Sequence, residues 1–282
     1  MTSKRAKSAT RTPEQLREHY EIEKELAARL RTASREERRT LYSSLYDEMF
    51  RRVPLHPQLT RKASEAETRL DVERQMRGLR SFLRPDSTYM EVGPGDCALA
   101  REVAKSVKRV YAVDVSDEIT SSATMPDNFE LILSDGCGVP VPPGVVDVAY
   151  SNQLMEHLHP DDASEQLKGI LNSLVPGGCY LCTTPNRLTG PHDISLYFDE
   201  VATGFHLREY SVSELKALFE SVGFTGFKAY LGARGVYVRF PVTVLTVTER
   251  SLGALPPRLG RAVAHSLPFR LMLNGIRLAG VR

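Results

Sequence analysis

Apolar side chains recur every three or four residues through the first part of the chain, which is the period of helices packed along one face. Thr12 and Ser34 each stand three residues before a Gln or Glu that can complete a capping box, so a helix is expected to begin after each. We expect the resulting cap to pack on the rest of the protein. Helices are predicted over residues 13–31, from residue 35 to the prolines at 54 and 57, and over residues 65–82.

From residue 88 the pattern changes to short β-branched and aromatic runs that alternate with helical segments. Such alternation indicates βαβ units and therefore an α/β fold with a mostly parallel sheet and helices on both faces. The last two runs are joined by a short link, which favours an antiparallel pair. Seven strands are predicted, at residues 88–92, 109–113, 129–133, 145–150, 179–183, 224–230 and 236–240.

The segment after residue 241 has a different character. Three prolines interrupt it, and leucine or valine recurs every fourth residue among arginines. A basic amphipathic segment of this kind can lie on an anionic membrane surface or can cover the edge of a sheet, and both interpretations stay open. The expected organisation is a disordered basic N-terminus at 1–12, a helical cap at 13–87, an α/β domain at 88–241 and a C-terminal appendage at 242–282.

Charge is distributed unevenly along the 282 residues, although the net charge is only +2. Both ends are basic and residues 89–230 are acidic, which disfavours a nucleic-acid substrate for the central domain. No apolar run approaches the roughly 18 residues of a membrane span, and the N-terminus lacks the apolar region of a signal peptide, so a cytoplasmic protein is expected. The four cysteines are interpreted as buried reduced thiols.

The most informative motif is Glu-Val-Gly-Pro-Gly, residues 91–95, at the end of the first strand. Gly93 and Gly95 allow positive φ and close approach of a ligand to the backbone, and the helix that follows presents free N–H groups. Asp114 ends the second strand about 20 residues later, where a carboxylate can accept hydrogen bonds from both ribose hydroxyls of a nucleoside. The chain is therefore predicted to bind a nucleotide-like cofactor.

The same turn also fits the dinucleotide pattern through Gly93, Gly95 and Ala98, so two cofactors must be compared. Pro94 removes a backbone donor from a loop that would cradle a pyrophosphate. Glu91 would repel phosphate, whereas it suits a cationic amino group and a sulfonium. These features favour S-adenosyl-L-methionine (SAM) over a nicotinamide cofactor.

The motif at 91–95 resembles the first motif of class I SAM-dependent methyltransferases, and the resemblance covers about half the chain. Residues 146–152 and 156–158, together with the later motifs at 174–178, 184–186 and 205–211, are similar to the type 11 and type 23 group, which includes the ubiquinone-pathway O-methyltransferases. The resemblance implies a Rossmann-like seven-stranded sheet with an antiparallel last strand. It also implies that Asp135 and Gly136 hold the adenine and that Asn152 lies beside the methyl group.

Methyl transfer needs an acceptor placed in line with the sulfonium carbon, and a base only when the acceptor is as hard as a hydroxyl. His157, just past the fourth strand, is the candidate base, or else it positions the acceptor. In the ubiquinone-pathway enzymes, the corresponding segment resembles Glu-x-x-Glu-His and is associated with a divalent metal. This chain has Gln153 in place of the first carboxylate, and an amide oxygen is a weaker ligand for a hard cation, so a divalent metal is not expected. The candidates for the acceptor pocket are Gln153, Asn186, His192 and His206.

The resulting hypothesis is an enzyme that methylates a small-molecule or lipid/glycan-linked acceptor, with oxygen as the preferred atom. A SAM-binding scaffold or sensor without turnover is the alternative, since cofactor binding and methyl transfer are separable. Contact with the inner face of a membrane through the basic tail is a further possibility, while the acceptor and the oligomeric state are left open.

Overall fold

The computed structural model describes residues 11–57, 59, 65–116, 125–233 and 236–282; the expected disordered N-terminus falls almost entirely outside them. One sheet of eight strands forms the centre, in the order β3-β2-β1-β4-β5-β8-β6-β7. Five neighbouring strands, from β3 to β5, are parallel, and the pairs β5–β8, β8–β6 and β6–β7 are antiparallel. The strands are β1 Thr88–Val92, β2 Arg109–Asp114, β3 Phe129–Leu133, β4 Val146–Asn152, β5 Leu174–Thr184, β6 Thr225–Ala233, β7 Val236–Phe240 and β8 Ile276–Val281.

The predicted Rossmann-like α/β architecture is confirmed, with one strand more than the seven expected. The additional strand comes from the segment predicted to be an appendage. Ile276–Val281 runs back between β5 and β6 and pairs with both, and most of its side chains are buried. The C-terminal segment therefore contributes to the middle of the sheet.

Nine α-helices surround the sheet in the described residues, and those of the cap begin as predicted. Thr12 and Ser34 form complete capping boxes with Gln15 and Glu37. One face of the sheet packs against the first two helices and the helices that follow β4 and β5, and the other face packs against α3 and α4. The helices are α1 Pro13–Thr32, α2 Arg35–Arg52, α3 Glu65–Leu79, α4 Ala98–Ala104, α5 Pro160–Ser173, α6 Val212–Val222, α7 Val242–Gly253, α8 Pro257–Ala264 and α9 Phe269–Leu273.

A buried ion pair fastens α2 to α5. The guanidinium of Arg38 donates two hydrogen bonds to the carboxylate of Asp162, at 2.6 and 2.7 Å, and both residues are buried. The hydroxyl of Tyr42 donates to the same carboxylate at 2.7 Å. Because breaking a buried pair leaves an uncompensated charge, these bonds hold the cap firmly on the sheet domain.

The three helices between β7 and β8 pack on the protein near the carboxyl end of β5. Glu249 of α7 is buried and accepts hydrogen bonds from the first backbone N–H groups of α6, Val212 and Ser213. A carboxylate at a helix N-terminus compensates the unpaired N–H groups there. Among the helices described, none combines the length and apolarity that crossing a bilayer requires.

Candidate functional site

A cleft of about 460 Å³ opens at the carboxyl ends of β1, β2 and β4, between the sheet and helices α2 and α3. In an open α/β sheet this edge is where ligands bind. The structure brings most of the predicted site residues to this one place. Those that line the cleft are Glu91, Gly93, Gly95, Asp114, Gly136, Asn152, Gln153 and His157.

Glu91 supplies a buried acid at the floor of the cleft. Only 4% of the residue is exposed, and burial raises the pKa of its carboxyl to about 8. The hydroxyl of Tyr89 donates to it at 3.3 Å. A carboxyl with this pKa is mostly protonated at neutral pH, and a cationic ligand group beside it would favour its ionised form.

The glycine turn is closed by the carboxylate at the end of β2. Gly93 has φ of +70°, a backbone conformation that favours glycine, and a Cβ there would lie 3.0 Å from the end of the Leu154 side chain. The N–H of Gly95 donates to Oδ2 of Asp114 at 3.0 Å, and the N–H of Val115 donates to Oδ1 at 2.7 Å. A carboxylate can accept several hydrogen bonds at once, so ligand hydroxyls are chemically suitable further partners for Asp114.

The two residues expected at the adenine are placed differently from each other. Gly136 lines the cleft with φ of +83°, and a Cβ on it would lie 2.7 Å from the ring of Tyr42, which packs over it. Asp135 is not among the lining residues. Its carboxylate accepts the N–H groups of Cys137 and Gly138, at 3.0 and 2.7 Å, and pairs with Arg39 at 3.4 Å. Its expected contact with adenine stays a prediction.

These residues fit SAM. Once ionised, the buried carboxyl of Glu91 suits a cationic amino group or a sulfonium beside it. Pro94 also lines the cleft and has no N–H, so the turn offers a phosphate one backbone donor fewer. The turn admits a ligand close to the backbone, and Asp114 stands at the cleft wall with capacity to hold ribose hydroxyls.

The other end of the cleft is aromatic. Tyr46 and Phe50 of α2 line it together with His157, and the ring of Phe205 stacks on Tyr46 with centroids 5.1 Å apart. Nδ1 of His157 lies 3.0 Å from the carbonyl oxygen of Phe205, so this nitrogen carries the proton and donates. Burial and the nearby charge of His206 lower the pKa of His157 to about 3, so the ring is neutral at physiological pH.

Behind His157 lie three further titratable side chains that are largely buried, those of Glu156, His206 and Glu209. Burial raises the pKa of Glu156 to about 7, and its Oε2 accepts from the hydroxyl of Thr184. Its Oε1 has no hydrogen-bond partner within the part of the chain that the structure describes. Burial disfavours the charged form of His206, but the bond from Nδ1 to Glu209, 2.7 Å long, and three nearby carboxylates raise its pKa to about 9. The ligand atoms of Glu156, His157 and His206 lie within 4.8 Å of one another, so they could hold a cation. The expected metal-free site stays a prediction.

A second group of this kind lies in the cap. His19 and Glu23 of α1 are buried with His56, their ligand atoms within 4.8 Å, and Nε2 of His19 lies 2.6 Å from Glu23 Oε1. The other oxygen of Glu23 accepts the N–H of Phe205 at 3.2 Å. The cap is therefore bonded to the residue that holds His157.

Three of the four expected pocket residues do not line the cleft. His206 lies behind His157, and the other two follow β5. Asn186 is fully buried, and its side chain contacts Glu249 and caps the short helical turn at Arg187–Thr189. Nε2 of His192 lies 3.0 Å from the carbonyl oxygen of Asn186. The chain folds into this turn immediately after β5, which directs both side chains into local hydrogen bonds.

Sequence reasoning missed the contributions of α3, of Glu156 and of Glu23. Glu156 could have been found, because a carboxylate beside a candidate base is itself a candidate. The cleft residues of α3, such as Asp71 and Gln75, carry no motif, and only the packing of that helix brings them to the site.

Comparisons with known proteins agree with this geometry. A family model described as "Methyltransferase domain" matches residues 90–182. A protein of Mycolicibacterium smegmatis described as "Probable S-adenosylmethionine-dependent methyltransferase" is 32% identical over 137 residues, which are 48% of this chain and 51% of that protein. The chain thus spans about half the length of this relative.

Solved structures resemble the fold at low sequence identity. A SAM-dependent methyltransferase from Thermotoga maritima is 16% identical, with a TM-score of 0.50 and coverage of 76% of this chain and 90% of that one. A phosphoethanolamine N-methyltransferase of Haemonchus contortus, solved with S-adenosylhomocysteine, is 15% identical, with a TM-score of 0.50 and coverage of 74% and 52%. The glycine turn, the matched residues and the fold together assign residues 90–182 to a methyltransferase domain that is similar to those of class I SAM-dependent methyltransferases, and the cleft residues fit S-adenosyl-L-methionine as the cofactor.

Proposed function

We propose that the protein transfers the methyl group of SAM to an oxygen atom of a small-molecule or lipid/glycan-linked acceptor. The observation that supports this most directly is the continuity of one cleft, which runs from the glycine turn to an aromatic chamber closed by α2. Such a cleft can hold a cofactor and an acceptor side by side and can exclude water from both.

When bound, SAM supplies an electrophilic methyl group on a sulfonium. In the proposal, ionised Glu91 compensates the positive charge of the cofactor, and Asp114 fixes the ribose. Tyr46 and Phe50 close the acceptor end and hold the acceptor against the cofactor. Positioning of this kind supplies most of what an in-line displacement needs.

His157 is the proposed contact for an acceptor hydroxyl. Because its Nδ1 donates to Phe205, its Nε2 keeps an unprotonated lone pair that can accept the hydroxyl hydrogen. With a pKa of about 3, His157 is a weak final proton acceptor. Glu156, with a pKa of about 7, is better matched to receive the proton that is released as the O–CH₃ bond forms.

Incubation with methyl-labelled SAM and fractionated small molecules and lipids from the source cell tests the activity. We expect label in one acceptor fraction, as a base-stable ether or a base-labile ester, and a loss of roughly 10²-fold or more in kcat for His157→Phe. Glu165→Gln, at a partly exposed site on α5, is the control and should retain activity. Binding of SAM without label in any fraction would instead favour the scaffold alternative.

Peripheral membrane contact is the second candidate, supported by the surface of the helices between β7 and β8. Five large apolar side chains are exposed there, and the one acidic residue of residues 242–275, Glu249, is buried. Arginines near an anionic bilayer contribute about 1 kcal/mol each. The exposed side chains are Val244, Val247, Leu259, Leu267 and Leu271, with Arg250, Arg258 and Arg270.

Deletion of the whole segment would remove β8 from the sheet, so point variants are the appropriate test. We expect Arg258→Glu/Arg270→Glu to lose co-sedimentation with phosphatidylglycerol vesicles, while Arg17→Glu/Arg51→Glu retains it. Equal pelleting of both double variants would discard the membrane role.

A further inference from the structure

A second pocket, of about 220 Å³, lies between α3 and the half of the sheet formed by β4, β5, β8, β6 and β7. Its wall carries three tyrosine rings, and its polar groups converge from five strands and one helix. The tyrosines are Tyr150, Tyr230 and Tyr237. The motif at 146–152 contributes Tyr150 and Asn152 to this pocket, but no motif points to Arg277, because β8 comes from the end of the chain.

The pocket is continuous with the cofactor cleft. Asp71 and Gln75 of α3 and Asn152 at the end of β4 line both. Asn152 is also the residue expected beside the transferred methyl group. A molecule whose reacting atom lies at Asn152 can therefore extend into the second pocket.

Arg277 of β8 provides the positive charge of this pocket. It is half-buried, its guanidinium carbon lies 5.4 Å from the ring centre of Tyr237, and it pairs with no carboxylate among the described residues. Arg74, by contrast, is exposed at the rim and is bonded to Asp71 at 3.0 Å. A cation that loses hydration without a partner raises the free energy of the folded protein, and an anionic ligand would remove that cost.

The surroundings keep the guanidinium in place. A Cβ at Gly232 would lie 3.1 Å from the guanidinium carbon and 2.9 Å from the Tyr237 ring, so the absence of a side chain there makes room for both. The hydroxyl of Tyr150 donates to Gln75 at 3.1 Å on the opposite side. The pocket thus presents the planar guanidinium of Arg277 and flat aromatic walls, which suit a planar or compact anionic group.

We propose that this pocket binds an anionic group of the methyl acceptor, a carboxylate or a phosphate, and so places the reacting atom of the acceptor at Asn152. The inference rests on the proposed methyl transfer and narrows its substrate to acids and phosphate esters. The carboxylate of the cofactor itself is the other source of an anion near Asn152. The pocket is larger than one carboxylate requires and its walls are aromatic, which favours the acceptor over the cofactor carboxylate as its occupant.

Ligand-observed NMR titration of the full chain with benzoate, in saturating S-adenosylhomocysteine, tests the proposal. We expect benzoate to bind the wild type and Arg277→Met to raise its Kd about tenfold to a hundredfold, as the loss of a charge-assisted hydrogen bond implies. Arg277→Lys should give a smaller increase, because the charge remains without the planar guanidinium. Benzyl alcohol is the neutral probe, and its affinity should be the same for the wild type and Arg277→Met. Lys168→Met, at an exposed position on α5, is the control variant and should bind benzoate as the wild type does.

Three results would overturn the proposal: no benzoate binding to the wild type, a benzoate Kd that is the same in Arg277→Met, or equal weakening of benzyl alcohol. A loss of S-adenosylhomocysteine affinity in Arg277→Met, with affinity for 5′-methylthioadenosine unchanged, would assign the pocket to the cofactor carboxylate and also overturn it. Thermal unfolding of each variant checks its folding, and Arg277→Lys carries the test if Arg277→Met is unfolded. Failure of the wild type to bind S-adenosylhomocysteine would instead contradict the proposed function.

Discussion

The two ends of the main cleft are built in different ways. At the cofactor end, Glu91, the glycine turn and the carboxylate of Asp114 come from two adjacent strands within about 25 residues, and that carboxylate accepts a hydrogen bond from the turn. At the acceptor end, Tyr46, His157 and Phe205 come from three distant segments. The first end depends on local backbone geometry and the second on how the cap packs.

This difference indicates how each end should respond to change. Substitutions at the cofactor end should alter ligand affinity without loosening the cap. Substitutions that loosen the cap should reduce stability, because the chamber exists only while α1 and α2 remain docked.

The largest expected effect is on the docking of the cap. Arg38→Met leaves the buried carboxylate of Asp162 with the Tyr42 hydroxyl but without its cationic partner, and we expect the free energy of unfolding to fall by about 3–5 kcal/mol. Equilibrium unfolding in urea measures the loss. Arg35→Met, on the same helix, breaks the exposed pair with Glu165 and should cost less than about 1 kcal/mol. Equal losses in the two variants would show that the buried pair does not hold the cap.

The next effect is on cofactor affinity. Asp114→Ala removes the proposed ribose acceptor and also the bonds to Gly95 and Val115, and we expect a Kd for S-adenosylhomocysteine about tenfold to a hundredfold higher. Isothermal titration calorimetry measures it. Asp127→Ala, at an exposed position before β3, is the control and should bind as the wild type does. Unchanged affinity in Asp114→Ala would remove the ribose assignment.

The smallest expected effect is the release of a proton from Glu91 when the cofactor binds. Because the pKa of Glu91 is raised to about 8, the carboxyl is mostly protonated at pH 7, and a cationic ligand beside it should lower that pKa and release close to one proton. Calorimetry of S-adenosylhomocysteine binding in buffers of different ionisation enthalpy counts the protons. Glu91→Gln should bind more weakly and release none.

Stability gives an independent check on the same acid. A carboxyl whose folded pKa is raised above its ordinary value of 4.5 destabilises the protein increasingly as pH rises from about 4.5 to about 8. In the absence of cofactor, Glu91→Gln should therefore unfold at a higher temperature than the wild type, and the difference should be larger at pH 8 than at pH 5. A difference independent of pH would contradict the raised pKa.

The cofactor end could be predicted from the sequence because its chemistry is encoded locally. Glu91, Gly93 and Asp114 are fixed by their positions at strand ends, and strand periodicity gives those ends without knowledge of the tertiary structure. The capping boxes at Thr12 and Ser34 were predictable for the same reason.

The rest depends on long-range packing. Residues 276–281 were predicted within an appendage because a short strand that is buried on both faces has no alternating pattern, and this one follows a basic helical segment. Arg277 could not be recognised as a pocket residue before β8 was placed between β5 and β6. Asn186 and His192 follow β5 closely in sequence, yet a turn of 3₁₀ helix directs them away from the cleft.

The hydrogen bonds that join α1 to residues 203–206 have a consequence for protein engineering. The N–H of Phe205 bonds to Glu23 of α1 and its carbonyl to His157, while Arg31 of α1 bonds the carbonyls of Thr203, Gly204 and His206. A chimera that imports the first two helices of a homologue to change acceptor preference would have to import residues 203–206 with them. Exchange of either piece alone would leave the imidazole held by a loop with no matching support.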